Sequence, residues 1–175
     1  MPCSLNLASF TYNYCDTNLA GVKAIYVNDR DNITISDVSN GVATVTTTTQ
    51  KFVKLPFAKN TASYTSTLTK NESQGTRYYS TELVANINKL DAEKNVLFSG
   101  SGEDIGLDAG RLAIIVVDKN DVNWLLGEND YAMTTALTAQ TGAAPDDGNF
   151  YTWTVTDESP RLPYTIADIS NLIED

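Results

Sequence analysis

Residues 61–88 read TASYTSTLTKNESQGTRYYSTELVANIN. Ala62, Tyr64, Ser66 and Leu68 fall on one face of an extended chain. Residues 71–75 (NESQG) turn it, and Tyr79, Thr81, Leu83, Ala85 and Ile87 share one face of the returning strand, opposite Tyr78, Ser80, Glu82, Val84 and Asn86. Alternation of this kind needs a period of two, because successive side chains of a strand point to opposite faces. The stretch therefore predicts a β-hairpin with one face on a core and the other on solvent or a neighbour.

The sequence on either side follows the same period. Residues 22–27 read as a strand stopped by the turn-forming run Asn28-Asp29-Arg30-Asp31-Asn32, with a further short strand at 33–36. Asn40-Gly41 is a hairpin turn leading into 42–49, whose four consecutive threonines favour extended backbone. Residues 51–57 alternate but contain Pro56, which cannot donate to a ladder, so they form an edge strand or its end. Residues 90–98 carry apolar residues at helical spacing with acids in the first turn and predict the one short helix. Residues 99–110 hold Gly100, Gly102, Gly106 and Gly110 with three acids and read as a flexible loop.

Downstream, 111–117 is a continuous apolar run, a strand buried on both faces. A tight turn at 118–121 returns it through 122–126, which carries Trp124. Residues 134–138 are weakly extended, 141–149 form a loop, and 150–156 give a strand with an aromatic face. Residues 167–173 suggest a last helical turn, with Ile169 and Ile173 at i, i+4. Eight to ten short strands, one helix and no β-α-β alternation predict an all-β domain over 1–175, with 1–20 as an N-terminal arm. The expected architecture is a β-sandwich or rolled barrel with a short flanking helix.

Composition excludes several functions. The chain has 175 residues, 22 Asp and Glu, 12 Lys and Arg, no His and a net charge of −10. Without His there is no Ser-His-Asp or Cys-His triad and no imidazole metal ligand. Cys3 and Cys15 alone form neither a zinc site nor a disulfide framework and are read as two reduced thiols. The charge opposes wrapping of DNA phosphates. There is no basic n-region with an apolar stretch at the start and no run near ~20 apolar residues, so the expectation is a soluble protein made in the cytosol, without a membrane anchor. Split after Ser99, the chain carries +1 in residues 1–99 and −11 in 100–175, which suggests copies joining through unlike faces, with Lys51, Lys54 and Lys59 facing an acidic half.

No catalytic motif emerges. There is no GxxxxGK[ST], GxSxG or SxxK, and Glu103 and Asp104 in the glycine-rich loop would repel phosphate. Adjacent acids (Glu103/Asp104, Asp146/Asp147, Asp157/Glu158) do not by their spacing supply two carboxyls across a sugar ring. Asp29–Asn32, Glu103–Asp108 and Asp118–Asp121 offer loop oxygens for calcium, but none completes an EF-hand pattern, and turn chemistry accounts for them. No catalytic residue, cofactor or metal is expected. The sixteen aromatics, nine of them Tyr, suit core and subunit contacts. Tyr78/Tyr79 and Tyr151/Trp153 offer a stacking platform, which supports a second reading as a carbohydrate-binding or adhesin module.

Four segments together carry a resemblance: NLAGVKAIYVND (18–29), KFVKLPFAKNTASYTSTLTKNESQGTRYYSTELVANINKLDAEK (51–94), RLAIIVVDKNDVNWLLGEND (111–130) and TAQTGAAPDDGNFYTWTVTDESPRLPY (138–164). With an N-terminal Cys before them, they resemble the tail-tube-type virion proteins of tailed bacteriophages, particularly those of Bacteroides-like hosts. The resemblance implies a β-sandwich or rolled barrel with one flanking helix at 89–98. It implies a homo-oligomeric ring, commonly a hexamer, whose sheets join into a lumen wall, and rings that stack with other tail proteins in the virion. It implies a negative lumen that encloses DNA without reading its sequence. On this basis the hairpin at 61–88 supplies lumen strands or a stacking loop. Lys51, Lys54, Lys59, Tyr64, Tyr78, Tyr79, Glu103, Asp104 and Asp108 are the candidate inter-subunit residues. The loop at 100–110 departs from the usual pattern and leaves room for a specialised ring, a head–tail connector or tail hub.

Overall fold

The computed structural model describes residues 18–102, 106–108, 111–128, 133–144 and 146–174. Cys3, Cys15, Glu103 and Asp104 lie outside these residues, as does most of the N-terminal arm. The described chain forms eleven strands and one helix in the order β1 (Val22–Asp29), a 3-10 turn, β2 (Ile33–Ser39), β3 (Val42–Thr47), β4 (Val53–Lys54), β5 (Ser63–Asn71), β6 (Thr76–Asn88), α1 (Ala92–Ser99), β7 (Leu112–Asp118), β8 (Asn123–Leu126), β9 (Thr134–Gln140), β10 (Phe150–Ser159) and β11 (Tyr164–Ile166). The all-β expectation with one short helix holds. Among the described residues no helix is long and apolar enough to cross a membrane.

Two sheets result. Seven strands run in the order β2-β3-β11-β8-β7-β1-β4, and four in the order β5-β6-β10-β9. The larger sheet cannot be flat. β1 and β2 sit five strand spacings apart in its order, ~24 Å if flat. Yet only Arg30–Asn32 joins them, and four peptide steps reach ~14 Å at most. The sheet therefore rolls until its ends approach, as the side chains require. Ile33, Val45, Phe52, Ile115, Leu125 and Ile166 form a core inside the roll. The opposite faces of β1 and β7 build a second core against the smaller sheet, from Ile25, Ile114, Val116, Leu83, Trp153 and Val155. Strand β7 lies between the two cores, which is why residues 112–117 are all buried and why that stretch reads as an unbroken apolar run.

Local chemistry sets the connections. Asn40 and Gly41 both have positive φ (52° and 81°), the conformation of a two-residue hairpin turn, so Asn-Gly joins β2 to β3. The Asp29 carboxylate accepts the Asp31 N–H at 2.9 Å and caps the 3-10 turn. Asp91 caps α1 by accepting the Lys94 N–H at 2.9 Å. Phe98 from α1 is fully buried, with its ring centroid 5.3 Å from Tyr151 and 6.3 Å from Trp153, so the helix closes one end of the inter-sheet core.

The expected last helical turn at 167–173 is not a helix. The Ile169 carbonyl accepts both the Leu172 and Ile173 N–H groups in one uncontinued turn. The chain then extends, because Leu172 is buried in the rolled core and Ile173 bridges Phe52 in parallel. The glycine-rich loop is pinned where it is described. Leu107 and Asp108 donate to the Leu97 and Phe98 carbonyls at 3.1 and 3.0 Å. A Cβ on Gly106 would collide with the Phe98 carbonyl, so glycine is what allows this approach.

Candidate functional site

Two surfaces stand out, and the first is the outer face of the smaller sheet. Its strands are all antiparallel, with Thr65, Glu82, Thr156 and Thr134 in one row across it. Ser63, Val84, Thr154 and Ala136 form a second row, and Asn86, Thr152 and Thr138 a third. Thr81, Leu83, Tyr151 and Trp153 face the core, so by alternation the rows above face outward. Thr152 Oγ1 donates to Asn86 Oδ1 across this face at 3.1 Å. The outward positions of the four strands include two acids, Glu82 and Glu158, and no Lys or Arg.

Among the described residues both edges of this sheet are open. β5 at one edge and β9 at the other present nine and seven residues, mostly exposed. β9 reads TTALTAQ, without Pro or charge, so it lacks the usual devices that stop a strand edge from pairing. An even number of antiparallel strands makes the two edges run in opposite directions. β9 of one copy can therefore meet β5 of the next in an unbroken antiparallel ladder. The hairpin β5–β6 also reaches past β10, whose pairing with β6 stops at Tyr79, so residues 69–78 overhang the sheet.

The second surface lies along β4, at the edge of the rolled sheet. Lys51, Lys54 and Lys59 are exposed there, and none makes a hydrogen bond or ion pair with another described residue. A cleft of about 500 Å³ next to β4 is lined by Lys51, Val53, Lys54, Leu97 and Leu107. The charged halves seen in the sequence are not two faces of the molecule. β7, β8 and β11 lie in one sheet with β1–β4, and β9 and β10 lie with β5 and β6, so the topology interleaves the near-neutral and acidic parts. Gly106 and Leu107, neighbours of Asp108, line the same cleft as Lys51 and Lys54 within one copy.

The remaining candidates separate. Tyr64 is half-buried and stacks on Trp124 with centroids 5.8 Å apart, and burial, with the Asp157 charge second, pushes its hydroxyl up to about 12. It packs against the inter-sheet core. Tyr78 is exposed and Tyr79 half-buried beside Arg77, whose guanidinium lies 5.8 Å from the Tyr79 ring centroid. Asp108 is exposed, and its carbonyl accepts Thr135 Oγ1 at 2.6 Å beside the open edge β9. Tyr151 and Trp153 form no stacking platform, because both are buried between the sheets. In the loop at 118–121 turn chemistry occupies the first acid: Asp118 Oδ1 accepts the Asn120 and Val122 N–H groups at 2.8 and 3.0 Å, and Oδ2 accepts Trp124 Nε1 at 3.2 Å.

One cluster has no sequence signal. Asp157 is buried and accepts the Gly127 N–H at 3.1 Å, and burial raises its pKa. Glu128 next to Gly127 is also raised by burial, accepts Ser159 Oγ at 3.3 Å and lies 3.5 Å from Arg161 Nε. Its Oε2 is buried with no hydrogen-bond partner among the described residues. Only the packing of the two sheets, which brings β10 against the end of β8, unites these groups. Against known protein families, curated proteins and solved structures, the chain finds no match.

Proposed function

We propose that the protein is a structural component of a bacteriophage tail that assembles into rings, with the four-stranded sheet as the channel wall. The observation that carries this reading is the outer face of that sheet: hydroxyl-rich, two glutamates, no cation, between two open and oppositely directed edges. A surface of this kind gives phosphates nothing to bind and repels them weakly, which suits a wall that DNA must slide past. Heterologous pairing of β9 onto β5 closes into a ring when the rotation per copy closes. Six copies of the four strands would set roughly twenty-four side by side, giving a barrel roughly 50 Å across at the backbone, wide enough for a DNA duplex.

The overhanging tip at 69–78 then supplies the loop that reaches toward the next ring, with Tyr78 and Tyr79 at its base. The test is negative-stain microscopy of the purified protein at high concentration and low salt, beside Leu137→Lys. Leu137 is an edge-strand residue on the core side, 36% exposed, and a charge there blocks edge pairing at small cost to the fold. Rings in the wild type that vanish in the variant support the reading. A strictly monomeric wild type overturns it.

A further inference from the structure

The rolled sheet gathers lysines that the sequence keeps apart. A groove of about 410 Å³ beside β4 is lined by Lys23, Lys54, Lys59 and Lys119, together with Phe57 and Asn60. Lys23 comes from β1 and Lys119 follows β7, so pairing of β1 between β4 and β7 brings them together. No acid among the described residues lines this groove, which takes four of the chain's 12 cations. Lys23 is paired with Asp121, and Lys119 Nζ donates to Asn60 Oδ1 at 3.0 Å. Lys54 and Lys59 are exposed and have no such partner among the described residues.

The backbone beside them is an unfinished ladder. Leu55 N–H donates inward to the Ile25 carbonyl at 2.9 Å, so by alternation Phe52 and Lys54 turn their backbone groups outward. At Phe52 the outward groups are taken. Its N–H donates to the Leu172 carbonyl at 2.8 Å, and its carbonyl accepts the Glu174 N–H at 3.0 Å. The tail that pairs there reads Leu-Ile-Glu, an extended segment with an apolar anchor and an acid. One step along the same edge stands Lys54, on the outermost strand of its sheet. The chain's own tail thus shows that this edge accepts an extended segment by backbone pairing.

We propose that the lysine-lined edge of β4 is a second contact between copies, distinct from the β5 and β9 edges. There an exposed acidic segment of one copy adds to the other as an extended strand beside Lys54 and Lys59. It rests on the reading of the protein as self-assembling. Main-chain pairing supplies the affinity, and the lysines select an acidic segment over a neutral one. Two chains that each carry −10 repel at long range, so a contact of this kind places opposite charge where the copies touch.

The test compares wild type, Lys54→Gln/Lys59→Gln and Lys54→Glu/Lys59→Glu by sedimentation at low and high salt, with micrographs of the same samples. Association should weaken at least tenfold in the Glu pair and less in the Gln pair, and high salt should abolish the difference, while all three melt together because both lysines are exposed. Equal association of wild type and the Glu pair overturns the groove contact and leaves the ring reading standing if rings are present. Lysine-dependent association without rings supports the groove and overturns the ring. A wild type that is monomeric throughout overturns both. Retention of the wild type, but not the Glu pair, by a DNA duplex in the absence of self-association assigns the groove to nucleic acid and overturns the contact between copies.

Discussion

The two sheets solve the same packing problem in opposite ways. Strand β7 of the rolled sheet is covered on both faces, so all six residues 112–117 are apolar and buried. Strand β10 of the smaller sheet is covered on one, so Tyr151, Trp153 and Val155 are buried while Thr152, Thr154 and Thr156 between them are partly exposed. The difference separates the faces that the cores use from the face they leave free. Within the rolled sheet β7 has no spare face and anchors the molecule, whereas β2 and β3 bury only their inner side. The smaller sheet has a whole face, and two edges, that its own core does not use. A face that stability does not constrain but that still carries no cation is where the proposed assembly and channel wall would sit.

The widest separation between the two regions should come from truncation in the shared core. Trp153 is fully buried, and Trp153→Ala should cost about 3–5 kcal/mol and unfold a large fraction of the protein on modest heating. Trp153→Phe should cost much less, because it keeps most of the ring and removes an indole N–H that has no partner among the described residues. Denaturant titration of both variants checks the order, and equal losses would show that packing around the indole does not set stability here. Next comes Gly127, where φ is +77° and a Cβ would collide with the Leu112 carbonyl of β7. Gly127→Ala should cost well over about 1 kcal/mol, since it also displaces the N–H that serves Asp157.

Where one face is core and the other is free, the sequence is legible. The alternation of residues 79–87 assigns β6 its faces correctly, and the apolar run at 111–117 announces a strand with two cores. What could not be read is what distant pairing decides. Asp157 continues the inward alternation of Tyr151, Trp153 and Val155, but nothing local says that it meets the Gly127 N–H from the other sheet. The lysine groove needs β1 placed between β4 and β7, so the candidates Lys51, Lys54 and Lys59 could be named from sequence while Lys23 and Lys119 could not. The helical turn expected at 167–173 failed for the same reason, since burial of Leu172 and the bridge to Phe52 outweigh an i, i+4 pattern only seven residues long.

The buried carboxylates make a subtler comparison between the sheets' shared interior and the surface. Burial raises the pKa of Asp157 and of Glu128 above their ordinary values, so the folded state holds protons more tightly than the unfolded one. Their cost is absent below the unfolded values, appears as pH rises through the interval up to the raised values, and is full above them. Asp91, Asp147 and Asp168 work the other way. A hydrogen bond from Lys94, the Ala143 and Ala144 N–H groups, and the Ser170 N–H hold them low, so their stabilisation is lost on acidification. Asp157→Asn keeps an acceptor for Gly127 and removes only the first effect. It should melt above wild type at pH 7, with the gain shrinking toward pH 4; a gain that does not vary with pH would remove desolvation as its cause.

The smallest expected change in stability is the most informative about the free face. Thr154 and Thr156 point outward from the centre of the smaller sheet, in rows that cross all four strands. Replacing both with lysine removes no core contact and places each cation near Glu82 or Glu158, so the unfolding free energy should change within the range of surface substitutions, about ±0.5 kcal/mol for each. If this face lines a channel, rings should still form, because the β5 and β9 edges are untouched, but the wall would now hold phosphates. The variant should then retain a DNA duplex in a salt-dependent manner where the wild type does not. Retention by the assembled variant that is lost on dissociation to monomers places the face inside the ring. Equal retention by monomers and rings places it on the outside, and the channel wall would have to be sought on the rolled sheet instead.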